Sequence, residues 1–180
     1  SNPNYGQGDI TIQTQSAGGQ IRFGTGAAQV NTMKIDSSGR VTMPNQPAFL
    51  VGFGATTNIS LNDGDQIEFD NDSAGIAFDN GNNFDTSGPN FSFTAPVTGI
   101  YFFCLTVKCS TVGNFSGVLK VNGANANIVD APVGFSSSND SCVTTLLIKL
   151  NENDYVKAHT RNGNYQLYKG HTFWSGHLVG

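Results

Sequence analysis

The side chains in this 180-residue chain that could do chemistry are mostly carboxylates and amides. Asp63-Gly64-Asp65, Asp70-Asn71-Asp72 and Asp79-Asn80-Gly81-Asn82 crowd hard oxygen donors into short runs, and such donors suit calcium. The same residues close turns, because an Asp or Asn side chain hydrogen-bonds its own backbone two residues on. None of the runs has the calcium-loop spacing with its terminal glutamate. Turn formation is therefore the preferred reading. Asp70, Asp72 and Asp79 are kept as candidate metal ligands, with calcium the one cofactor considered. Acid–base chemistry has little to draw on: three histidines (His159, His171, His177) and two glutamates (Glu68, Glu152). No Gly-x-Ser-x-Gly and no His-Glu-x-x-His occurs, and no pair of these residues stands at a telling spacing, so an enzyme is not expected. Cys104, Cys109 and Cys142 lack a disulfide-framework spacing. Cys104 and Cys142 lie in apolar strand contexts, where a free thiol acts as a small hydrophobe; three reduced thiols are expected. Tyr165, Tyr168 and Trp174 could stack on sugar rings, although the strand position of Trp174 favours burial.

Composition narrows the classes. Charged residues make up 12% of the chain, about half the usual share. Gly, Asn, Ser and Thr supply the polarity instead, which favours an all-β chain full of turns. A net charge of −4 with nine scattered Lys and Arg argues against nucleic acid as a partner, since a phosphate-binding face needs clustered cations. No run of about 18 apolar residues exists to span a membrane. The chain begins at Ser1 without methionine or leader and is expected to be part of something longer.

The elements that must position these groups are strands. From Gly99, Tyr101, Phe103, Leu105 and Val107 alternate with Ile100, Phe102 and Cys104, which are apolar too. A strand apolar on both faces must be covered on both. One face suits a sandwich core; with no helix in prospect, the other calls for a second subunit. Pro96 and Gly99 bracket a tight corner after a strand at Phe91–Thr94. Further strands are expected at 48–53, Gln66–Phe69, Gly117–Val121, Cys142–Leu150, Tyr155–Thr160 and 172–179. Asn122-Gly123 is a hairpin turn, and Asn153 occupies a place where positive φ is expected. Residues 1–46 differ. Ile10–Ile12 and Ile21–Phe23 read as short strands, and Met33–Val41 as strand, Asp-Ser-Ser-Gly turn and strand; each strand carries two or three apolar side chains, too few to offset ordering entropy alone. The boundary is placed at Pro44–Pro47, giving segments 1–46 and 47–180.

Asp79, Phe84, Phe91 and Gly99-x-Tyr101-x-Phe103 resemble the signature of the globular head of complement component 1q, a family that shares the ten-stranded jelly roll of the tumour necrosis factor superfamily. Pro47-Ala48-Phe49 with Val51 and Phe53 resembles its first strand, and Phe173-Trp174-Ser175-Gly176-His177-Leu178 its last. The resemblance implies a homotrimer, with Tyr101, Phe102, Phe103, Phe173 and His177 at the subunit contacts. A packed interface histidine is preferred for His177 over a metal or anion site on the threefold axis. Met33-Lys-Ile-Asp-Ser-Ser-Gly-Arg-Val-Thr-Met43 is similar to a segment common in bacteriophage tail fibres. Together these imply an all-β jelly-roll head on a β-rich fibre shaft, in a virion assembled in a bacterial cytoplasm. The implied function is adhesion to a host cell-surface receptor, a glycan or a protein. The loops 79–90, 111–116 and 135–140, with Asn82, Asn83, Asn114, Ser137 and Asn139, are the expected contacts. The alternative is a purely structural trimerisation or capping module.

Overall fold

The structure, a computed structural model, describes residues 12, 14–26, 30–53, 58–70, 77–109, 113–125, 133–135, 141–161 and 163–180. They form strands and one 3-10 turn, Lys169–His171, with no α-helix among the described residues. The chain divides into two compact units, Ser1–Asn45 and Gln46–Gly180.

The first unit holds β1 (Ile21–Thr25), β2 (Val30–Ile35) and β3 (Val41–Thr42) in one antiparallel sheet. The expected strand at Ile10–Ile12 falls largely outside the described residues. The β2–β3 turn follows from its sequence. Asp36 Oδ1 accepts hydrogen bonds from the N–H groups of Ser38 (2.9 Å) and Arg40 (3.0 Å), and Arg40 Nε donates to Asp36 Oδ2 at 2.7 Å. Those bonds, the Arg40 N–H foremost, hold the Asp36 carboxyl below the ordinary carboxylate range. Gly39 supplies the positive φ of 78° that the turn requires. No described side chain of this unit is buried, and Phe23, Val41 and Met43 are 44–53% exposed.

The second unit carries β4 (Ala48–Val51), β5 (Ile59–Leu61), β6 (Phe78–Asn80), β7 (Phe84–Asp85), β8 (Ser92–Thr94), β9 (Gly99–Lys108) and β10 (Gly113–Val121). β11 (Ala124–Asn125), β12 (Val133–Phe135), β13 (Ser141–Leu150), β14 (Tyr155–Arg161), β15 (Tyr165–Leu167) and β16 (Phe173–Leu178) complete it. One antiparallel sheet runs β13-β9-β16-β4-β6; a second runs β11-β10-β14-β8-β7, with β12 also on β10. β5 and β15 form a separate pair. This is an all-β jelly roll, as the sequence predicts.

The inward residues alternate along each strand with the period of two that a pleated backbone dictates. Phe49, Phe69, Phe93, Tyr101, Phe103 and Trp174 are among the fully buried side chains. Rings pack edge to face around Trp174, with Phe49 5.2 Å away at 89° and Phe84 5.4 Å away at 79°, while Phe49 stacks on Phe93 at 21°. Gly176 is required in the final strand, because a Cβ there would lie 2.5 Å from Phe103 Cδ1. The Asn122-Gly123 turn has φ of 51° and 80°, the primed geometry that suits a two-residue hairpin. Asn153 stands at φ 70° as expected.

Two local expectations are corrected. Gln66–Phe69 is not a strand; Gln66 makes an isolated bridge to His159 while Ile67 and Phe69 are buried anchors. Residues 113–116 are not a loop, because β10 begins at Gly113 and Asn114 pairs with Gly134. Strand partners on β12 and β14 override the turn propensity of Gly113-Asn114.

Candidate functional site

The two outer faces of the sandwich differ in chemistry. In the β13-β9-β16-β4-β6 sheet the register lines up Asn80, Ala48, His177, Phe102 and Leu147 in one row. Phe78, Leu50, Ser175, Cys104 and Thr145 form the next, followed by Phe173, Thr106 and Val143. Cross-strand partners share a face, so all these side chains point away from the core. Ile100, Val143, Leu147, Phe78 and Phe173 are 38–59% exposed there. Lys149, opposite Ile100, stands at the margin. His177 packs its ring on Phe102, with centroids 5.5 Å apart. The β10–β14 face instead presents Lys120, Tyr155, Lys157, His159 and Arg161. Isolated exposed apolar side chains are ordinary, but a contiguous sheet face of them marks an interaction surface.

Residues 48–179 match the C1q domain family. The chain belongs to the C1q family. No curated protein matches its sequence. Among solved structures, the globular domain of zebrafish complement 1qA protein is 19% identical, with a TM-score of 0.50 over 75% of this chain and 98% of that one. Murine APRIL is 14% identical, with a TM-score of 0.54 over 74% and 99%. The Eiger TNF of S. frugiperda is 11% identical, with a TM-score of 0.51 over 76% and 94%. At these identities the likeness is one of fold. C1q and TNF-like domains are typically non-enzymatic binding modules, often trimeric.

Within the C1q unit the predicted contact residues separate into two sets. Phe102, Phe173 and His177 lie on the apolar outer face. Tyr101 and Phe103 do not: both are 0% exposed within their own chain, packed against Phe93, and have no surface left for a partner. Tyr101 also spends its hydroxyl internally, donating to the carbonyl of Val97 at 2.8 Å. Leu147, Val143, Ile100, Leu50 and Phe78 were missed. A signal for the first two was present, since Val143 and Leu147 break the polar alternation of Thr145 and Lys149 on the side away from Leu146 and Leu150.

The predicted binding loops also separate. Asn80 Nδ2 donates to the Gln46 carbonyl at 2.7 Å, and Asn83 accepts from the N–H of Thr94. Asn82 and Asn83 therefore stand at the end where the chain enters the C1q unit, with the 95–98 and 151–154 turns. β10 begins, and β12 ends, at the opposite end. Ser137 and Asn139 lie outside the described residues.

Asp79 acts as a turn residue. Its Oδ1 accepts from the N–H of Asn83 (3.1 Å) and its Oδ2 from that of Phe84 (2.9 Å). Asp72 lies outside the described residues, and among the described residues no group of three or more His, Cys, Asp or Glu is placed to hold a metal. Replacing Asp79 with alanine leaves two N–H groups without acceptors and is expected to cost about 1–2 kcal/mol. Urea denaturation checks this, and a variant as stable as the parent would overturn the capping role.

Trp174 is wholly buried, as its strand position predicts. All three cysteines are free. Burial pushes the thiol of Cys109 up to about 12, with Cys142 nearby adding to it, so Cys109 is a packing group rather than a nucleophile.

His159 gives the unit a pH dependence. Its Nδ1 lies 3.0 Å from the Gly64 carbonyl, and burial, with Lys120 and Lys157 adding to it, lowers its pKa below the usual imidazole value. As pH falls through about 6.5 the unfolded chain takes up a proton that the folded chain refuses. Stability is thus full above that pH and declines toward the lowered folded value. The urea midpoint is expected to fall between pH 7.5 and 5, with a shallower slope in His159→Gln. Equal slopes in the two proteins would contradict the assignment.

Proposed function

We propose that this chain is the homotrimeric tip of a bacteriophage tail fibre or related virion appendage. Residues 47–180 act as the head that adheres to a host cell-surface molecule, and residues 1–46 as the end of its shaft. The observation that carries the trimer is the contrast between the two outer sheet faces: one apolar around Phe102, Leu147, Phe173 and His177, the other charged. Three copies packed through the apolar face leave the charged face and the loop ends open. Three identical sites then multiply weak single-site binding.

The shaft reading is supported by the first unit. Its fibre-like segment folds as strand, turn and strand, and none of its described side chains is buried. Such a sheet gains stability when identical chains supply the missing cover. Three free thiols accord with assembly in a reducing host cytoplasm. The structural alternative, a trimerisation cap that touches no receptor, is supported by the same apolar face. It is separated from adhesion by whether the labelled protein binds host cells.

Light scattering after size exclusion tests the assembly. A mass of three times 19.0 kDa is expected. A monomer at micromolar concentration would sink the reading, because the apolar face would then lie open to water.

A further inference from the structure

We propose that the charged outer face of the C1q unit binds an acidic saccharide, a sugar chain carrying carboxylates, along a groove running from Asn82 to Lys157. The proposal deepens the reading of the unit as a binding head, and it places the ligand on the sheet face that subunit packing leaves open.

The first observation is a like-charge pair. Lys120 on β10 and Lys157 on β14 are direct cross-strand partners. Like charges so placed repel and destabilise the sheet. Among the described residues neither is in a salt bridge. Lys157 Nζ donates only to neutral acceptors, Gln66 Oε1 and the Pro89 carbonyl, both at 3.3 Å. The carboxylates nearby relieve the pair only in part: Asp85 lines the same concavity as Lys157 and feels its charge, but no described carboxylate is in salt-bridge contact with either lysine. Asp85 is engaged by Ser87 and Asn90, and Asp65 by the N–H and side-chain amide of Asn62. Two unpaired lysines side by side in a chain of net charge −4 fit an external anion.

The second observation is the groove beside them. Two concavities, of about 610 Å³ and about 420 Å³, share Asp85 and Thr94 and run together. Asn82, Thr86, Ser92, Thr94 and Asn153 line them, and their side chains make no hydrogen bond with another described residue. These are donors and acceptors of the kind that sugar hydroxyls satisfy. Tyr155 stands at the lysine end, 37% exposed, with Lys157 Nζ 5.8 Å from its ring centroid. An aromatic ring offers contact area at low entropy cost. A bare inorganic anion would use the lysines and leave the hydroxyl-matched lining idle. A saccharide with a carboxylate uses both.

The test titrates the intact protein with trigalacturonic acid, trimannuronic acid and sialyllactose, each beside its methyl ester, by calorimetry, with the mass measured in parallel. At least one acid is expected to bind, its ester about tenfold more weakly, and Lys120→Gln/Lys157→Gln about tenfold more weakly still than the parent. Thr94→Ala should also weaken binding, which a purely electrostatic patch would not show. Lys120→Gln alone should bind less yet melt about 1–3 °C higher, because the repulsion is relieved; this excludes misfolding as the cause of lost binding. No binding of any acid below about 10 mM overturns the proposal. So does equal binding of acid and ester, or displacement by equimolar sulfate. A monomeric mass with acid binding intact would refute the trimer and leave the saccharide site standing.

Discussion

Replacing Leu147 with glutamate is expected to turn the assembled head into folded monomers. Leu147 is 59% exposed in its own chain, so the isolated subunit loses little when a carboxylate takes its place. In the proposed assembly each copy would instead bury that carboxylate on a face whose neighbours are Phe102, His177 and Ala48, with no Lys or Arg in the row. An uncompensated buried charge costs roughly 3 kcal/mol or more, and a trimer holds three of them. Assembly should therefore weaken on the order of a million-fold. Light scattering reads the mass, and the far-ultraviolet spectrum and urea midpoint of the monomer show that the fold survives. Lys120→Glu, on the other outer face, should leave the mass unchanged. A Leu147→Glu protein that remained trimeric would remove this face from the interface.

Trp174→Ala should remove about 3–5 kcal/mol of stability. The indole is fully buried and touches the rings of Phe49, Phe69, Phe84 and Phe103, so its loss leaves a cavity that several rigid rings must close. Trp174→Phe should cost much less, about 1–2 kcal/mol. The reason is specific: the indole N–H is buried and has no hydrogen-bond partner among the described residues. The smaller ring loses contact area but also removes an unsatisfied donor. Urea denaturation of the two variants measures the difference. Equal losses would mean that the N–H is satisfied in solution, and an alanine variant within about 1 kcal/mol of the parent would remove Trp174 from the centre of the core.

The parts of the fold that were legible in the sequence are those where local chemistry and tertiary demand agree. The alternation from Gly99 to Lys108 gives β9, and its two apolar faces require the cover that the structure divides between core and outer surface. Asn122-Gly123 and Asn153 announce their positive φ because few other residues tolerate it. What was not legible depended on register. A strand apolar on both sides does not say which side is inward, so Tyr101 and Phe103 were expected at a partner when it is Phe102 that faces out. The pairing of Gly176 with Phe103 and of His177 with Phe102 decides it, and those partners lie far apart in sequence. Asn114 looked like a loop residue because its neighbours are turn formers, yet β12 draws it into a sheet. The facing of Lys120 and Lys157 is equally hidden, since each reads alone as a solvated lysine. That Asn82 and Asn83 stand near Gln46 is hidden for the same reason, because only the strand pairing shows it.

The placement of β16 bears on how the unit is made in a cell. The strand of this sheet that comes last in sequence is not an edge: it lies between β9 and β4, and pairs with both. Until Phe173–Leu178 leave the ribosome, β4 and β9 each present an unsatisfied edge, and the rings of Phe49 and Phe103 lack the indole that joins them. Folding of the head must then wait until β16 has been made, through contacts of very high sequence separation that form slowly. A nascent chain stalled before Phe173 would expose two open strands to aggregation, and a head clipped at that point would lose the middle of its sheet rather than its margin.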